Sequence, residues 1–182
     1  MLAAPFRVVL DACVIYPMHL RDVLLQAAAE GLYQASWCKE ILDEATRNLI
    51  TNLQITNAQA THLISAMASA FPESMIMDYQ LLVPAMRNDP KDRHVAAAAV
   101  KAGAQVIVTS NMRDFSRLPD GIEAQTPDEF LCNLFDLDPD RMMHALEKVC
   151  VRRKRPPNDV MSLVEATLCS DFAAIVQAHL AA

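Results

Sequence analysis

Glycine is scarce in this sequence: its 182 residues include only Gly31, Gly103 and Gly121. The phosphate-binding loops of dinucleotide and P-loop proteins need several glycines at fixed spacing, so neither motif occurs in this sequence. The G-x-S-x-G motif of serine hydrolases and the H-E-x-x-H motif of zinc peptidases are also absent. These common classes of nucleotide site and hydrolase site are therefore excluded.

The sequence also lacks paired cysteines and long apolar segments. Its five cysteines form no C-x-x-C pair and are irregularly spaced, which is typical of reduced thiols rather than of disulfides or zinc knuckles. No secretory signal is recognisable at the start, and the most apolar stretch, 95–108, is too short to cross a membrane. We therefore expect a soluble, cytoplasmic protein that does not contact membranes.

Positive charge is limited, since 16 Lys and Arg against 22 Asp and Glu give a formal net charge of -6. A generally basic surface for nucleic acid is excluded, because neutralising phosphates needs cationic side chains. The chain is 53% hydrophobic and 21% charged, which is the balance of a globular protein. Its length fits one ordinary domain with an appendage.

Short β-branched runs alternate with amphipathic helical patterns along most of the chain. The patterns predict strands at 6–10, 33–36, 74–78, 105–109 and 122–125, and helices at 19–30, 39–53, 57–70, 90–102 and from Thr126 onward. This alternation predicts an α/β fold, a three-layer α/β/α sandwich around a parallel sheet. From about Asp136 no strand pattern remains. We therefore predict two domains, the sandwich over residues 1–135 and an α-helical C-terminal extension over 136–182.

Four acidic residues are candidates for one shared site. Asp11 ends the first predicted strand, and Asp114 follows the clearest later strand. Asp92 lies in the first turn of a predicted helix, and Glu44 lies beside the apolar face of another. Ligands of open parallel sheets bind at the carboxyl ends of the strands, where these acids can converge. Like charges gathered there repel one another unless a cation is held between them.

Each of the four acids also has a purely structural explanation. Asp11 and Asp114 are ordinary turn or cap residues, and the helix dipole favours Asp92 where it stands. Glu44 can pair with Arg47 on the surface of its helix.

The donor atoms of this candidate site are all oxygens. The carboxylates are joined by the Asn111 amide and the Ser110 hydroxyl, in the loop that follows the clearest strand. Oxygen donors suit Mg²⁺ or Mn²⁺ rather than zinc or copper. One or two such ions can activate a water and stabilise the leaving oxygen of a phosphodiester. The pattern is therefore typical of a nuclease.

The motifs follow one another in a recognisable order within residues 6–135. They are Leu10-Asp11-Ala12-Cys13-Val14, then Glu44 in a helix, then Asp92-Arg93-His94-Val95-Ala96-Ala97, then Thr109-Ser110-Asn111-Met112-Arg113-Asp114-Phe115. This succession resembles the PIN domain, and more narrowly the VapC-type endoribonuclease toxins. It departs from the family pattern at Ala12-Cys13, where many members have Thr or Ser followed by Asn.

The resemblance implies a metal-dependent endoribonuclease that hydrolyses RNA phosphodiester bonds. It implies that Mg²⁺ or Mn²⁺ is held by Asp11, Glu44, Asp92 and Asp114, with Asn111 and Ser110 as auxiliary polar residues. It also implies a PIN-like nuclease domain over residues 1–135, a homodimer, and a role as the toxin of a type II toxin–antitoxin system. A small antitoxin protein would then block the site.

Basic side chains are candidates for contacts with the RNA backbone. They are Arg93 beside Asp92, Arg113 in the loop before Asp114, and the one basic run, Arg152, Arg153, Lys154 and Arg155. The alternative for each is a solvated surface charge.

Two other functions remain open. One is a non-catalytic PIN-fold scaffold that binds RNA or protein, although the presence of all four acids favours a nuclease. The other is a phosphatase like the haloacid dehalogenases, which also carry an aspartate at the end of a strand. The phosphatase motif has a second aspartate two residues after the first, and this chain has Cys13 at that position.

Overall fold

A parallel sheet forms the centre of the first part of the chain. The computed structural model describes residues 6–53 and 55–181. Its strands are β1 (Arg7–Leu10), β2 (Gln34–Ser36), β3 (Val106–Val108) and β4 (Glu123–Gln125). They pair in the order β2-β1-β3-β4, and every pair is parallel. The predicted parallel sheet with flanking helices is therefore confirmed.

The two inner strands, β1 and β3, are buried except for Arg7 at the start of β1, because their other residues are apolar and mostly β-branched. Val9 lies opposite Ile107 of β3 and opposite Ser36 of β2, and Val9 and Ile107 are fully buried. From β1 the chain continues to β2 on one side, and from β3 it continues to β4 on the other. Such a reversal opens a crevice at the carboxyl ends of the two strands.

The helices complete the described structure. They are α1 (Ala12–Ile15), α2 (Met18–Ala29), α3 (Lys39–Leu53), α4 (Asn57–Ala70), α5 (Arg93–Ala102), α6 (Pro127–Leu137), α7 (Pro139–Arg152), α8 (Val160–Glu165) and α9 (Ser170–Leu180). Gly103 ends α5 in the left-handed conformation, with φ 63°, and the chain then turns directly into β3. None of the described helices has the length and apolar character needed to cross a bilayer.

Two predictions about local structure were wrong. The strand expected at 74–78 is reduced to a single bridge, in which Met75 pairs with Trp37. Asp78 has a φ of 58°, which is not extended backbone and ends the strand-like segment. The helix expected from Pro90 begins instead as a 3-10 turn, Pro90–Asp92, and α5 starts at Arg93.

The chain separates into two compact units. The first contains the described residues up to Tyr16 together with Gln34–Gln125, and so includes the whole sheet. The second contains Pro17–Tyr33 and the described residues from Thr126 onward, and is helical. In this second unit α2 packs against α7, and α9 packs against α6 and α8. The expected helical character after residue 136 is confirmed, while a domain boundary at 135 stays a prediction.

Candidate active site

Asp11 is placed by the end of β1. Its backbone N–H donates to the Val108 carbonyl at 3.1 Å, which continues the pairing of β1 with β3 by one residue. The chain then turns into α1, and the carboxylate Oδ1 accepts a hydrogen bond from the Ala12 N–H at 2.7 Å. Asp11 is buried, with 6% of its surface exposed. The strand end thus fixes a carboxylate at the base of the crevice.

The second oxygen of Asp11 is held by one residue of α1 and by one residue of the loop after β3. Oδ2 accepts from the Thr109 hydroxyl at 2.7 Å and from the Cys13 thiol at 3.1 Å. The Ser110 N–H in turn donates to Cys13 Sγ at 3.2 Å. These bonds join the first turn of α1 to the loop after β3, and Cys13 supplies a polar contact although it departs from the family pattern.

Cys13 is a hydrogen-bond donor rather than a nucleophile. Burial, followed by the neighbouring charge of Asp11, raises the pKa of its thiol to about 12. The thiolate, which is the reactive form of cysteine, is therefore not populated at neutral pH.

Asp92 and Asp114 meet beside this pair of loops. Asp92 is the last residue of the 3-10 turn, and its side chain makes no capping bond to α5. It shares a hydrogen bond with the Asp114 carboxylate instead. The Asp89 N–H donates to the Asp114 carbonyl at 3.0 Å, and the Asn111 side-chain amide donates to Asp114 Oδ2. Asp92 stands at the N-cap of α5, so the helix dipole still acts on it, but its side chain is bonded to Asp114 rather than to the helix.

The charges of these acids act on one another. Burial raises the pKa of Asp92 to about 7, and the negative charges of Asp11 and then Asp114 add to the effect. The pKa of Asp114 is lowered, chiefly because Lys91 Nζ lies 2.6 Å from its Oδ2. The proton shared by Asp92 and Asp114 therefore resides on Asp92.

The chemistry of the donors in this pocket fits a hard divalent cation. Asp11, Asp92 and Asp114 offer only oxygens, and Asn111 adds an amide. Burial is the main cause of the raised pKa of Asp92, and the negative charges of Asp11 and Asp114, which such an ion would neutralise, add to it. In residues 6–53 and 55–181, however, no three His, Cys, Asp or Glu side chains already lie close enough together to hold an ion.

Glu44 is not joined to the other three acids. It lies half-buried on α3, and α3 packs against α1, the helix that begins directly after Asp11. No hydrogen bond or ion pair connects Glu44 to another described residue, including its alternative partner Arg47. Its role as a metal ligand stays a prediction.

The auxiliary residues and arginines near the pocket differ in what they contact. Asn111 binds Asp114, whereas the exposed Ser110 contributes its backbone N–H and has no hydrogen bond from its hydroxyl to any described residue. The Arg93 guanidinium donates to the carbonyl of Asn88 at 3.3 Å. Arg113 is exposed in the turn before Asp114. Of the two arginines, Arg113 is thus the one open to a ligand.

The basic run lies in the second unit and is divided in its contacts. Arg153 pairs with Asp22, with Nη1 at 3.1 Å from Oδ2, and its side chain is only 11% exposed. Arg152, Lys154 and Arg155 are exposed. Three of the four residues of the basic run are therefore accessible to RNA, whereas Arg153 is paired within its own unit.

Thr109, Cys13 and Lys91 are site residues that the sequence analysis did not select. The sequence did indicate a role for Thr109, because this residue begins the T-x-N-x-x-D-F motif at the end of a strand. The indication for Cys13 was weaker, since it is two residues from Asp11. The sequence gave no indication for Lys91, because a lysine in the first turn of a helix is ordinary.

Comparisons with known proteins match both parts of the chain. The PIN domain family model matches residues 7–113, and a model described as the VapC50 C-terminal domain matches residues 127–168. "Putative ribonuclease VapC50" of Mycobacterium tuberculosis is 48% identical over 62 residues, which are 32% of this chain and 37% of that protein. The chain thus matches little more than a third of that relative's length. No solved structure matches the chain.

We expect Thr109→Val to lower the free energy of unfolding by about 3 kcal/mol, because it removes a donor from a buried carboxylate while keeping the side-chain shape. Thr109→Ser keeps the hydroxyl and loses one methyl, so its expected loss is about 1 kcal/mol. Urea unfolding at pH 7 measures both variants. Equal losses would show that the hydroxyl does not stabilise Asp11.

The contribution of Asp92 to the stability of the protein should fall as the pH rises from about 4 to about 7. In the folded protein Asp92 keeps its proton up to a pKa of about 7, whereas the unfolded chain loses it near 3.8. Asp92→Asn cannot titrate, so its stability relative to wild type should rise over this interval, by at most about 4 kcal/mol.

Melting temperatures between pH 4 and pH 8, measured with a chelator present, test this expectation. Asp120→Asn, at an exposed aspartate of the same unit, is the matched control and should follow wild type. A constant difference between Asp92→Asn and wild type across this range would contradict the prediction.

Proposed function

Since this chain belongs to the PIN domain family, we propose that it is a VapC-type ribonuclease that hydrolyses RNA phosphodiester bonds with Mg²⁺ or Mn²⁺. The observation that carries the proposal is that Asp92 shares a hydrogen bond with Asp114 and is acted on by the charge of Asp11, although the three acids come from separate parts of the chain. Acids that approach one another in this way repel, and a bound cation would relieve that repulsion.

The site residues would act on a bound ion in different ways. Asp11, Asp92 and Asp114 would hold it, with Asn111 and Glu44 as further oxygen donors. When bound, the ion supplies a Lewis acid for the phosphate and an activated water. Asp11 is positioned by Thr109 and by Cys13 before any ion arrives. Asp92 must give up its proton to become a full ligand.

The proposal extends to partners and cellular role. The name of the Mycobacterium tuberculosis relative and the match to the VapC50 C-terminal domain support a toxin of a toxin–antitoxin system. We expect a homodimer in the cytoplasm and a small antitoxin protein that covers the carboxylate pocket. The C-terminal extension over residues 136–182 is proposed as a separate helical domain.

Cys13 disfavours the phosphatase alternative. In that motif a second aspartate, two residues after the nucleophile, protonates the leaving group. Here Cys13 stands at that position and its thiol donates a hydrogen bond to Asp11 Oδ2 at 3.1 Å. The scaffold alternative is separated from the nuclease by experiment.

We expect the protein to cleave structured RNA when Mn²⁺ is present and to stop when EDTA is added. Asp11→Asn should lower the cleavage rate at least about a hundredfold, because it removes the best-positioned carboxylate. Gel analysis of end-labelled RNA measures the rate, and Asp120→Asn is the matched control. RNA binding without cleavage would favour the scaffold, and phosphate release from a monoester would favour the phosphatase.

The combined variant Arg152→Ala, Lys154→Ala and Arg155→Ala should bind RNA more weakly than the parent protein. Each lost phosphate contact lowers the slope of log affinity against log salt by about 0.7, so three lost contacts lower it by about 2. Fluorescence anisotropy in an Asp11→Asn background measures binding without cleavage.

A matched triple, Arg47→Ala, Arg87→Ala and Lys101→Ala, removes three exposed positive charges of the first unit. It controls for the change in net charge alone. Equal losses of affinity in the two triple variants would show that the basic run makes no particular contact with RNA.

A further inference from the structure

Lys91 is the one basic side chain in ion-pair contact with the described acids of the pocket. It lies between Asp89 and Asp92 in the 3-10 turn, and its ammonium is 2.6 Å from Asp114 Oδ2. Asn111 donates to the same oxygen. The side chain of Lys91 is 63% exposed, whereas the side chain of Asp114 is 17% exposed. The lysine thus reaches from solvent onto a largely covered carboxylate.

This contact and a bound divalent ion are in competition for the same oxygen. An ammonium and a metal ion repel each other, and a carboxylate oxygen in contact with one is poorly placed for the other. With its ammonium in contact with Asp114, Lys91 partly neutralises the charge of this carboxylate.

We propose that Lys91 is the resident counter-cation of Asp114, which a divalent ion must displace before Asp114 can serve as its ligand. The inference rests on the proposed function for the identity of the ion. Displacement is easy because the long, exposed side chain of Lys91 can swing into water without unpacking any core residue. Lys91 thereby lowers the affinity of the pocket for metal and sets the ion concentration at which it fills.

Calorimetric titration with Mn²⁺ tests the proposal without relying on cleavage. Lys91→Met keeps a stem of similar length and removes the charge, so Mn²⁺ should bind about tenfold more tightly than to wild type. Lys91→Arg keeps the charge and should bind within about threefold of wild type. Lys101→Met, at an exposed lysine of α5, is the matched control and should match wild type.

The outcomes separate this inference from the proposed function. Tighter Mn²⁺ binding by Lys91→Met supports it even if no RNA is cleaved, in which case the nuclease proposal alone fails. Unchanged or weaker binding overturns it even if RNA is cleaved, because Lys91 would then only support the position of Asp114. Absence of Mn²⁺ binding in wild type and in both variants overturns it as well. Melting temperatures of all variants show that each one is folded.

Discussion

The carboxylates of Asp11, Asp92 and Asp114 repel one another, and the other contacts of the pocket offset this repulsion. Each carboxylate is accommodated in a different way. Asp11 is held by donors that are fixed in the fold, Asp92 has a raised pKa that favours its protonated form, and Asp114 is paired with an exposed lysine. Each of the three carboxylates is thus accommodated by a different kind of contact.

The parallel pairing of β1 with β3 makes this repulsion unavoidable. The register places Leu10 opposite Val108, so the residues that follow, Asp11 and Thr109, leave the sheet side by side. Asp114 follows from the same loop, and the turn before α5 is tied to it through the Asp89 N–H. A short stretch of strand pairing therefore determines which acidic residues meet.

The strand and helix pattern could be predicted because local features specify it. Buried β-branched runs indicated β1 and β3, and Gly103 indicated the end of α5. The segment at 74–78 had a similar pattern, but the left-handed backbone of Asp78 cannot be read from alternation. The placement of Asp11 and Asp114 followed from strand ends. The placement of Glu44 did not, because its position on a helix does not fix the direction of its side chain.

The partners of the acids were harder to predict because they come from distant parts of the chain. Thr109 is 98 residues from Asp11, and only the sheet brings them together. Lys91 is next to Asp92 in sequence but pairs with Asp114, because the fold of the loop brings Asp114 within reach of its side chain.

The three arrangements also differ in how readily they are undone. Donors that belong to strand ends and to the start of α1 cannot move without disturbing the sheet, so the contacts of Asp11 are permanent. The proton on Asp92 and the ammonium of Lys91 can both leave to water. Asp11 is therefore the fixed reference of the pocket, and Asp92 and Asp114 are the groups that respond to an arriving cation. Asp11 is thus the most rigidly held of the three acids, because its hydrogen-bond donors belong to the sheet and to α1.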